Sequence, residues 1–293
     1  MHTKTQNIGI IGQGFVGMAI KDGFSPYCNV YTYDKYIKDR SNCNTLSDVV
    51  KSSSTIFICV PTPMNQDGSC NTNIVGGVVS EINTICRNKN LKDRICVIKS
   101  TVQPGTTDFY NKEFTNISCV FNPEFLVEAT AKEDFKNQSR IIIGGPRKNV
   151  STIKNLYRTA FRETPIVKTN AKIAESVKYF INCFLATKVS FSNEFKQMCD
   201  VIDVDYDKVV EYALYDKRLG ESHWSVPGPD GDVGFGGSCF PKDINAIINF
   251  GAQKKVDMKV LQGAWNKNLE VRPGKDWEKL KGRAVTDDQP KNN

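Results

Sequence analysis

The chain has 293 residues, 40% of them apolar, and a formal charge of +7. This length is enough for two domains with buried cores, and no stretch reaches the roughly 18 apolar residues that a membrane-spanning helix requires. The residues after Met1 also lack the apolar stretch of a signal peptide. We therefore expect a cytoplasmic protein that does not bind to membranes.

Cysteine and histidine usage argues against disulfides and metal sites. The ten cysteines are scattered, mostly within apolar runs, and none forms a C-x-x-C pair. This pattern is typical of reduced cytosolic thiols. With only two histidines in addition, we expect no bound metal.

The positive charge is concentrated near the C-terminus. Residues 254–293 hold ten Lys/Arg and six Asp/Glu, without a zinc-finger or RNP signature. This indicates a solvated basic tail, which we place at residues 274–293, and no nucleic-acid partner. A role of the basic residues in binding a small anion stays open as an alternative.

The first half of the chain alternates between two patterns. From Asn7 to about Lys168, seven short runs rich in β-branched residues are separated by segments of helical length: NIGII, NVYTY, TIFICV, RICVIK, SCVFN, RIIIG and TPIVK. Such alternation predicts an α/β fold with a doubly wound parallel sheet of the Rossmann type. We assign it to residues 1–169.

The second half is predicted to be helical. A long helix reaches from Asn170 to about Cys199, and further helices follow a loop at 219–238 that is rich in Gly, Pro and Ser. Such a long loop in a compact domain is usually functional or disordered. The pattern ends at Arg272-Pro273-Gly274, so we expect an α-helical second domain over 170–273.

A glycine-rich turn directly follows the first predicted strand and opens a helix: Gly12, Gln13, Gly14, Phe15, Val16 and Gly17. In this context the first glycine permits a tight turn, the second lets the backbone approach a pyrophosphate, and the third lets helix and strand pack closely. The N–H groups at the helix start then face the phosphates. Asp34 ends the second strand, where it can bind an adenosine ribose and repel a 2′-phosphate. The pattern predicts an NAD site.

One cysteine differs from the others. Cys239 lies between a glycine-rich segment and the start of a predicted helix, with Lys242 three residues later. Reactive thiols are found in such cationic, partly exposed surroundings. The residues around Cys239 favour a nucleophile, whereas the other nine cysteines are predicted to be small core residues.

Three further polar features are candidates for a site. Lys178 and Asn182 share one face of an apolar helical segment, where a lysine either extends outward to solvent or serves a site. Polar clusters at 99–106 and 122–128 follow predicted strands, and such loops line the ligand crevice of an open α/β sheet. Neither cluster contains histidine, so the acid/base candidates are Glu124, Lys178 and Asp243.

Seven motifs occur in order along the chain: GQGFVG at 12–17, CVPTP at 59–63, KSTVQPGTT at 99–107, NPEFLVEATAKEDF at 122–135, ESVKYFINCFLATKVSFSNE at 175–194, DKRLG at 216–220 and GFGGSCFPKD at 234–243. Together they resemble the UDP-glucose/GDP-mannose dehydrogenase family over about residues 7–270. The resemblance implies oxidation of a nucleotide sugar CH₂OH to a carboxylate with two NAD per sugar. It is closest to members that oxidise UDP-glucose, which we expect ahead of GDP-mannose and UDP-N-acetyl amino sugars.

The resemblance also implies residue roles. Cys239 would attack the aldehyde and carry a thiohemiacetal and then a thioester, with Lys178 and Asn182 stabilising the oxyanion. Thr101 and Asp243 would hold the catalytic water, and Glu124 would act at the thioester stage. The cofactor-binding positions are Gly12, Gly14, Phe15, Val16, Gly17, Asp34, Thr62, Thr101 and Glu128. The substrate-binding positions are Phe125, Leu126, Lys178, Asn182, Gly236 and Arg218, the last of which would reach the substrate of a neighbouring subunit.

Full-length family members continue into a second Rossmann-like domain, which completes the nucleotide side of the site. The sequence ends at Asn293, so the resemblance implies that this UDP-binding domain is lacking or is supplied by a separate chain. The apolar residues of the helices at 171–200 and 244–270 predict a homodimer or a higher homo-oligomer. Two alternatives stay open: a 3-hydroxyacid-type NAD dehydrogenase, whose relatives carry a Lys-x-x-x-Asn pair, and an inactive or regulatory subunit.

Overall fold

The computed structural model describes residues 6–287, which form two compact units. The first unit consists of the residues up to Thr62 together with Thr72–Lys178. The second consists of Pro63–Asn71 and the residues from Tyr179 onward. The boundary between Lys178 and Tyr179 lies inside a long helix, whereas the sequence pattern predicts it between residues 169 and 170.

The first unit contains a seven-stranded sheet in the order β2-β1-β3-β4-β5-β6-β7. Its strands are β1 (Asn7–Ile11), β2 (Asn29–Tyr33), β3 (Thr55–Ile58), β4 (Arg94–Ile98), β5 (Ile117–Phe121), β6 (Ile141–Gly144) and β7 (Ile166–Thr169). All neighbours are parallel except β5 and β6, which pair antiparallel. The predicted doubly wound Rossmann sheet is confirmed. The strand order reverses beside β1, and ligands of open α/β sheets bind at such a reversal.

Six helices belong to this unit: α1 (Phe15–Phe24), α2 (Leu46–Ser52), α3 (Asn73–Asn88), α4 (Thr106–Glu113), α5 (Ala131–Lys136) and α6 (Arg147–Ala160). The sheet residues divide between two apolar cores. One core contains an aromatic cluster in which the rings of Phe24 and Tyr157 lie 5.3 Å apart, edge to face. Because both faces of the sheet are buried, β3 to β5 are almost entirely apolar, as the runs in the sequence indicate.

Helix α7 (Ala171–Val201) begins in the first unit and continues through the second, which also contains α8 (Tyr206–Ala213), α9 (Phe240–Gln253) and α10 (Lys259–Val271). The core of the second unit includes Cys183, Ala186 and Ile244. The large aromatic residues Phe180 and Phe184 of α7 lie on the outside. The predicted α-helical second domain is thus confirmed, and its long helix exposes several large apolar side chains.

Part of the predicted basic tail is packed against the second unit. Trp277, in a short 3₁₀ helix at Asp276–Lys279, is buried with its ring 5.3 Å from that of Trp265. Met64 N–H donates to the Ala284 carbonyl, and Thr286 N–H donates to the Met64 carbonyl. These bonds associate the segment Pro63–Asn71 with the second unit. The rest of the predicted tail, after Asp287, lies outside the described residues.

Between residues 6 and 287, no helix combines the length and the apolar composition needed to cross a membrane. The cytoplasmic location stays a prediction.

Candidate active site

The three glycines of the glycine-rich turn in the first unit have different surroundings. Gly12 has a φ of +90°, and a Cβ there would lie 2.5 Å from the Cys59 carbonyl oxygen. A Cβ at Gly17 would overlap the carbonyl of Gly12, whereas a Cβ at Gly14 would meet nothing within 4 Å. The first and third glycines are therefore required by packing. The second, at the N-terminus of α1, leaves open space beside the helix N–H groups, which would hold a pyrophosphate there.

The two remaining positions of this motif belong to the core. Phe15 and Val16, the first residues of α1, pack against the aromatic core of the first unit. Their side chains anchor the start of the helix in the core. Their backbone groups follow Gly14 directly at the N-terminus of α1. Direct contact of either residue with a cofactor stays a prediction.

Asp34 ties the end of β2 to the glycine-rich turn. Its Oδ2 accepts the Gln13 N–H at 2.7 Å, and its Oδ1 accepts the N–H groups of Tyr36 and Ile37 at 2.8 and 2.9 Å. Burial alone would raise the pKa of Asp34, but these three N–H groups and the charge of Lys38 outweigh it and hold the pKa below its ordinary value. A carboxylate has about four acceptor positions, so an ionised Asp34 with three in use keeps capacity for a ribose hydroxyl. The turn and Asp34 together fit a dinucleotide.

The loops after β3 and β4 lie side by side. Thr62 and Thr101, the two predicted site threonines of these loops, are both buried. The Ser100 hydroxyl donates to the Val60 carbonyl at 2.6 Å and joins the loops. The third predicted cofactor residue of the strand-end loops, Glu128, lies in an exposed 3₁₀ turn.

Glu124 and Lys178 form a buried ion pair in the first unit. The Lys178 ammonium donates to Glu124 Oε1 at 2.9 Å and to the Glu124 carbonyl at 2.7 Å, and Leu126 N–H donates to Oε2 at 2.7 Å. Burial would raise the pKa of Glu124, but Lys178, the Leu126 N–H and Lys99 together lower it. Of the two alternatives for Lys178, the structure shows the inward one. Its head group lies 5.5 Å from the ring of Phe125.

A second buried lysine, to which the sequence pattern gave no role, lies next to this pair. The Lys99 ammonium donates to Asn122 Oδ1 at 3.0 Å and to the Pro123 carbonyl at 3.3 Å. Asn122 Oδ1 also accepts the Tyr157 hydroxyl, and its Nδ2 donates to the Ile142 carbonyl. The only sequence signal for this network is a lysine at the end of an apolar strand. Lys99 thus holds the two residues that precede Glu124.

Lys99 and Glu124 both line a cavity of about 130 Å³ in the first unit. Burial lowers the pKa of Lys99 to about 8, and the charge of Lys178 acts in the same direction. Cys59 and Glu124 act in the opposite direction. Lys99 is therefore a buried cation that releases its proton at mildly alkaline pH.

This gives a prediction for stability. The pKa of Lys99 is about 8 in the folded chain and 10.5 as the ordinary value, so between these pH values the unfolded chain binds more protons. The free energy of unfolding of the wild type should then rise relative to that of Lys99→Met as the pH increases through this range, by roughly 3 kcal/mol at most. Urea unfolding of both proteins at several pH values measures the difference. Lys132→Met, at an exposed lysine, is the control, and a constant difference between wild type and Lys99→Met would contradict the prediction.

In the second unit, Cys239 is the residue immediately before α9, and its side chain is partly buried. The Ser238 hydroxyl lies 3.9 Å from its sulfur. Burial would lower the pKa of Lys242, but interactions with Asp243, Cys239 and Cys70 raise it above the ordinary value. Lys242 is therefore a persistent cation within electrostatic range of the Cys239 thiol.

Asp243 connects Lys242 to α7. Its Oδ1 accepts from the Lys242 ammonium at 2.5 Å, and its Oδ2 accepts from Asn182 Nδ2 at 2.6 Å. Asp243 and Asn182 are both buried. The structure thus brings together three predicted site residues of the second unit, Cys239, Asp243 and Asn182, through Lys242, which binds Asp243 and interacts electrostatically with Cys239.

Exposure alone does not distinguish Cys239. Six of the other nine cysteines are buried, but Cys43, Cys59 and Cys70 are partly buried like Cys239. The helix start and Lys242 are what set it apart. In the part of the chain that the structure describes, no group of three His, Cys, Asp or Glu side chains is arranged to hold a metal ion.

Three predicted substrate positions have other contacts within the chain. Arg218 is 89% exposed and pairs with Asp216, so a contact with another subunit stays a prediction. A Cβ at Gly236 would overlap the carboxylate of Asp276, which explains that glycine by packing. Leu126 packs partly against the aromatic core of the first unit.

The chain is similar to known proteins over most of its length. Residues 31–161 match the NAD binding domain of the UDP-glucose/GDP-mannose dehydrogenase family, and residues 172–270 match its central domain. A UDP-glucose 6-dehydrogenase of Bacillus subtilis is 36% identical over 216 residues, which are 71% of this chain and 46% of that protein. A UDP-glucose 6-dehydrogenase of Rickettsia typhi is 32% identical over 253 residues, or 82% of this chain and 56% of that protein.

The fold comparison agrees. The structure of a UDP-glucose dehydrogenase from Pyrobaculum islandicum superimposes with a TM-score of 0.82 at 29% identity, covering 94% of this chain and 70% of that one. The chain spans about half the length of the curated relatives it matches. With its glycine-rich turn and Asp34, the NAD binding domain identifies NAD as the cofactor. The chain therefore belongs to the UDP-glucose/GDP-mannose dehydrogenase family.

Proposed function

We propose that the chain oxidises C6 of a nucleotide sugar, with UDP-glucose as the first candidate, to a carboxylate through a covalent intermediate on Cys239. One observation carries the proposal. The Cys239 thiol lies at the start of α9 within electrostatic range of the Lys242 ammonium. Lys242 is bound by Asp243, which in turn accepts from Asn182. A cation beside a thiol favours the thiolate, which is the nucleophilic form.

The chemistry follows from a thiolate. NAD, when bound, supplies the hydride acceptor for both oxidations. After the alcohol has lost a hydride and a proton, the Cys239 sulfur adds to the aldehyde carbon, and the oxygen takes a proton to give a thiohemiacetal. Loss of a second hydride and that proton gives a thioester, and water then releases the acid and returns the thiol. Covalent capture prevents the reactive aldehyde from escaping between the two oxidations.

The polar residues of each unit support separate steps. Lys178, held by the carboxylate and the carbonyl of Glu124, is a fixed buried cation that can stabilise an oxyanion. In the second unit Asp243 would hold the hydrolytic water, and in the first unit Glu124 would act at the thioester stage. These roles are carried over from the family motifs in which the residues occur.

The choice of sugar rests on the relatives. Those reported above are named for UDP-glucose, and both family domains match in order. GDP-mannose and UDP-N-acetyl amino sugars are the other members of the substrate panel. The product from UDP-glucose would be UDP-glucuronate, a precursor for polysaccharide synthesis.

NADH stoichiometry tests the proposal. The chain is incubated with excess NAD and a limiting amount of each nucleotide sugar, and the NADH formed is measured by absorbance together with the acid by mass spectrometry. We expect two NADH and one acid per sugar consumed. One NADH per substrate would favour a 3-hydroxyacid-type dehydrogenase, and no turnover with any sugar would favour an inactive or regulatory subunit.

We also propose that α7 forms a homodimer contact in the second unit. Phe180, Phe184, Phe191 and Met198 are all exposed on this helix, and Phe180 is 74% exposed. An apolar stripe of this size on one helix is typical of a protein-protein interface. Val260 of α10, which is also exposed, belongs to the second helix of the predicted interface.

Light scattering at micromolar concentration checks the interface. The wild type should have the mass of a dimer, whereas Phe184→Glu should be a monomer, because a charge at the interface lacks a partner there. Asp200→Asn, at an exposed polar position on the opposite side of the same helix, is the control. A monomeric wild type would contradict the proposal.

A further inference from the structure

The segment immediately before Cys239 is held by side chains from distant parts of the second unit. Asn268 of α10 is fully buried, and its side-chain amide binds both backbone groups of Phe235. Its Oδ1 accepts the Phe235 N–H at 2.7 Å, and its Nδ2 donates to the Phe235 carbonyl at 2.9 Å. Asn193 Oδ1 accepts the Gly234 N–H at 3.1 Å. The side chains thus satisfy backbone groups that an irregular buried loop would otherwise leave without partners.

Asp276 continues these contacts toward the cysteine. Its Oδ2 accepts the Gly237 N–H at 2.8 Å, and its Oδ1 accepts from Arg272 Nε at 2.7 Å. Arg272 is buried and also donates to the Val233 carbonyl at 3.3 Å and to Asp230 at 2.8 Å. The Arg272 guanidinium therefore holds Asp276 in place. Arg272 is itself held by the Val233 carbonyl and Asp230.

Three positions of this segment favour glycine, two because of their backbone conformation and one because of a close contact. Gly234 and Gly237 have φ values of +69° and +72°, which favour glycine. At Gly236 a Cβ would overlap both the Asp276 carboxylate and the Arg272 guanidinium. The close approach of Asp276 to the backbone thus depends on a residue without a side chain at position 236.

We propose that Asp276 is a positioning residue for Cys239 and acts through the Gly237 N–H. Only Ser238 separates Gly237 from Cys239, so fixing the Gly237 peptide fixes the direction in which the chain enters α9 and the thiol points. A displacement of about 1 Å at a reacting atom can lower a rate by about 10²-fold. The proposal rests on the proposed function in taking Cys239 as the nucleophile.

Matched variants of the full chain test this role. Asp276 is suited to substitution because its side chain is 40% exposed, whereas Asn268 is fully buried and its loss could unfold the unit. Asp276→Ala removes the acceptor for the Gly237 N–H, and Asp276→Asn keeps an oxygen there. Glu278→Ala removes an exposed carboxylate from the same 3₁₀ helix and is the control.

Two measurements are made on each variant. The rate at which iodoacetamide alkylates Cys239 is followed by mass spectrometry of the Cys239 peptide, with NAD affinity and melting temperature recorded alongside. For Asp276→Ala we expect alkylation to slow by at least about threefold, because the thiol loses its fixed place beside the Lys242 charge. We expect kcat to fall by about 10²-fold with unchanged NAD affinity, and Asp276→Asn to recover most of both rates.

The outcomes separate the two proposals. If Asp276→Ala alkylates and turns over like the wild type, or if Glu278→Ala shows the same losses, Asp276 has no positioning role. If Asp276→Asn is as impaired as Asp276→Ala, the Gly237 hydrogen bond is not the cause and the proposal fails. If the wild type oxidises no nucleotide sugar while Asp276→Ala still slows alkylation and Asp276→Asn restores it, the positioning stands and the proposed function fails.

Discussion

Replacement of Cys239 by alanine should abolish acid formation and leave NAD affinity unchanged. The thiol is the group that would carry the sugar between the two oxidations, so its loss should lower the rate of acid production by at least about 10³-fold, or ~4 kcal/mol of transition-state stabilisation. The glycine-rich turn and Asp34 lie in the first unit, whereas Cys239 lies in the second. NAD affinity, measured by calorimetry, should therefore not depend on the thiol.

The matched control is Cys43→Ala, which removes another partly buried thiol. Burial raises the pKa of Cys43, and the charge of Asp48 adds to the effect, so Cys43 is a poor nucleophile and its removal should leave turnover unchanged. Acid production by Cys239→Ala at the wild-type rate would exclude a covalent intermediate on this residue.

The second large effect is expected at the buried ion pair of Lys178 and Glu124. Lys178→Met leaves the Glu124 carboxylate buried without its main cation. Removal of one partner of a buried pair typically costs about 3–5 kcal/mol. In addition, the oxyanion would lose the positive charge of Lys178, so turnover should fall by at least about 10²-fold. Urea unfolding and steady-state kinetics measure the two losses.

The double variant Lys178→Met with Glu124→Gln separates stability from catalysis. It replaces two buried charges by two neutral groups, which are cheaper to bury, so most of the lost stability should return. Turnover should not return. Lys132→Met, which breaks an exposed pair with Asp22, should change stability by less than about 1 kcal/mol. If the double variant regained activity, or if Lys178→Met were as stable as the wild type, the roles given to this pair would be wrong.

Much of the first unit and part of its site could be predicted because the signals are local. All seven β-branched runs form strands, and β3 to β5 are almost entirely apolar because they are buried on both faces. The glycine-rich turn could be placed because strand, turn and helix are adjacent in sequence. The same is true of Cys239, whose glycines, lysine and helix start lie within a few residues of it.

The elements, their α/β order and the surroundings of Gly14 and Cys239 could thus be predicted from the sequence, because they depend on residues that are neighbours in the chain. The antiparallel pairing of β5 and β6, the burial of Lys99 and the inward direction of Lys178 are seen only in the folded chain. The same is true of the hydrogen bond between Asp276 and Gly237, which lies 39 residues earlier in the chain. Each of these features depends on which distant residues come into contact on folding. Hydrophobic periodicity indicates secondary structure along the chain and does not indicate those contacts.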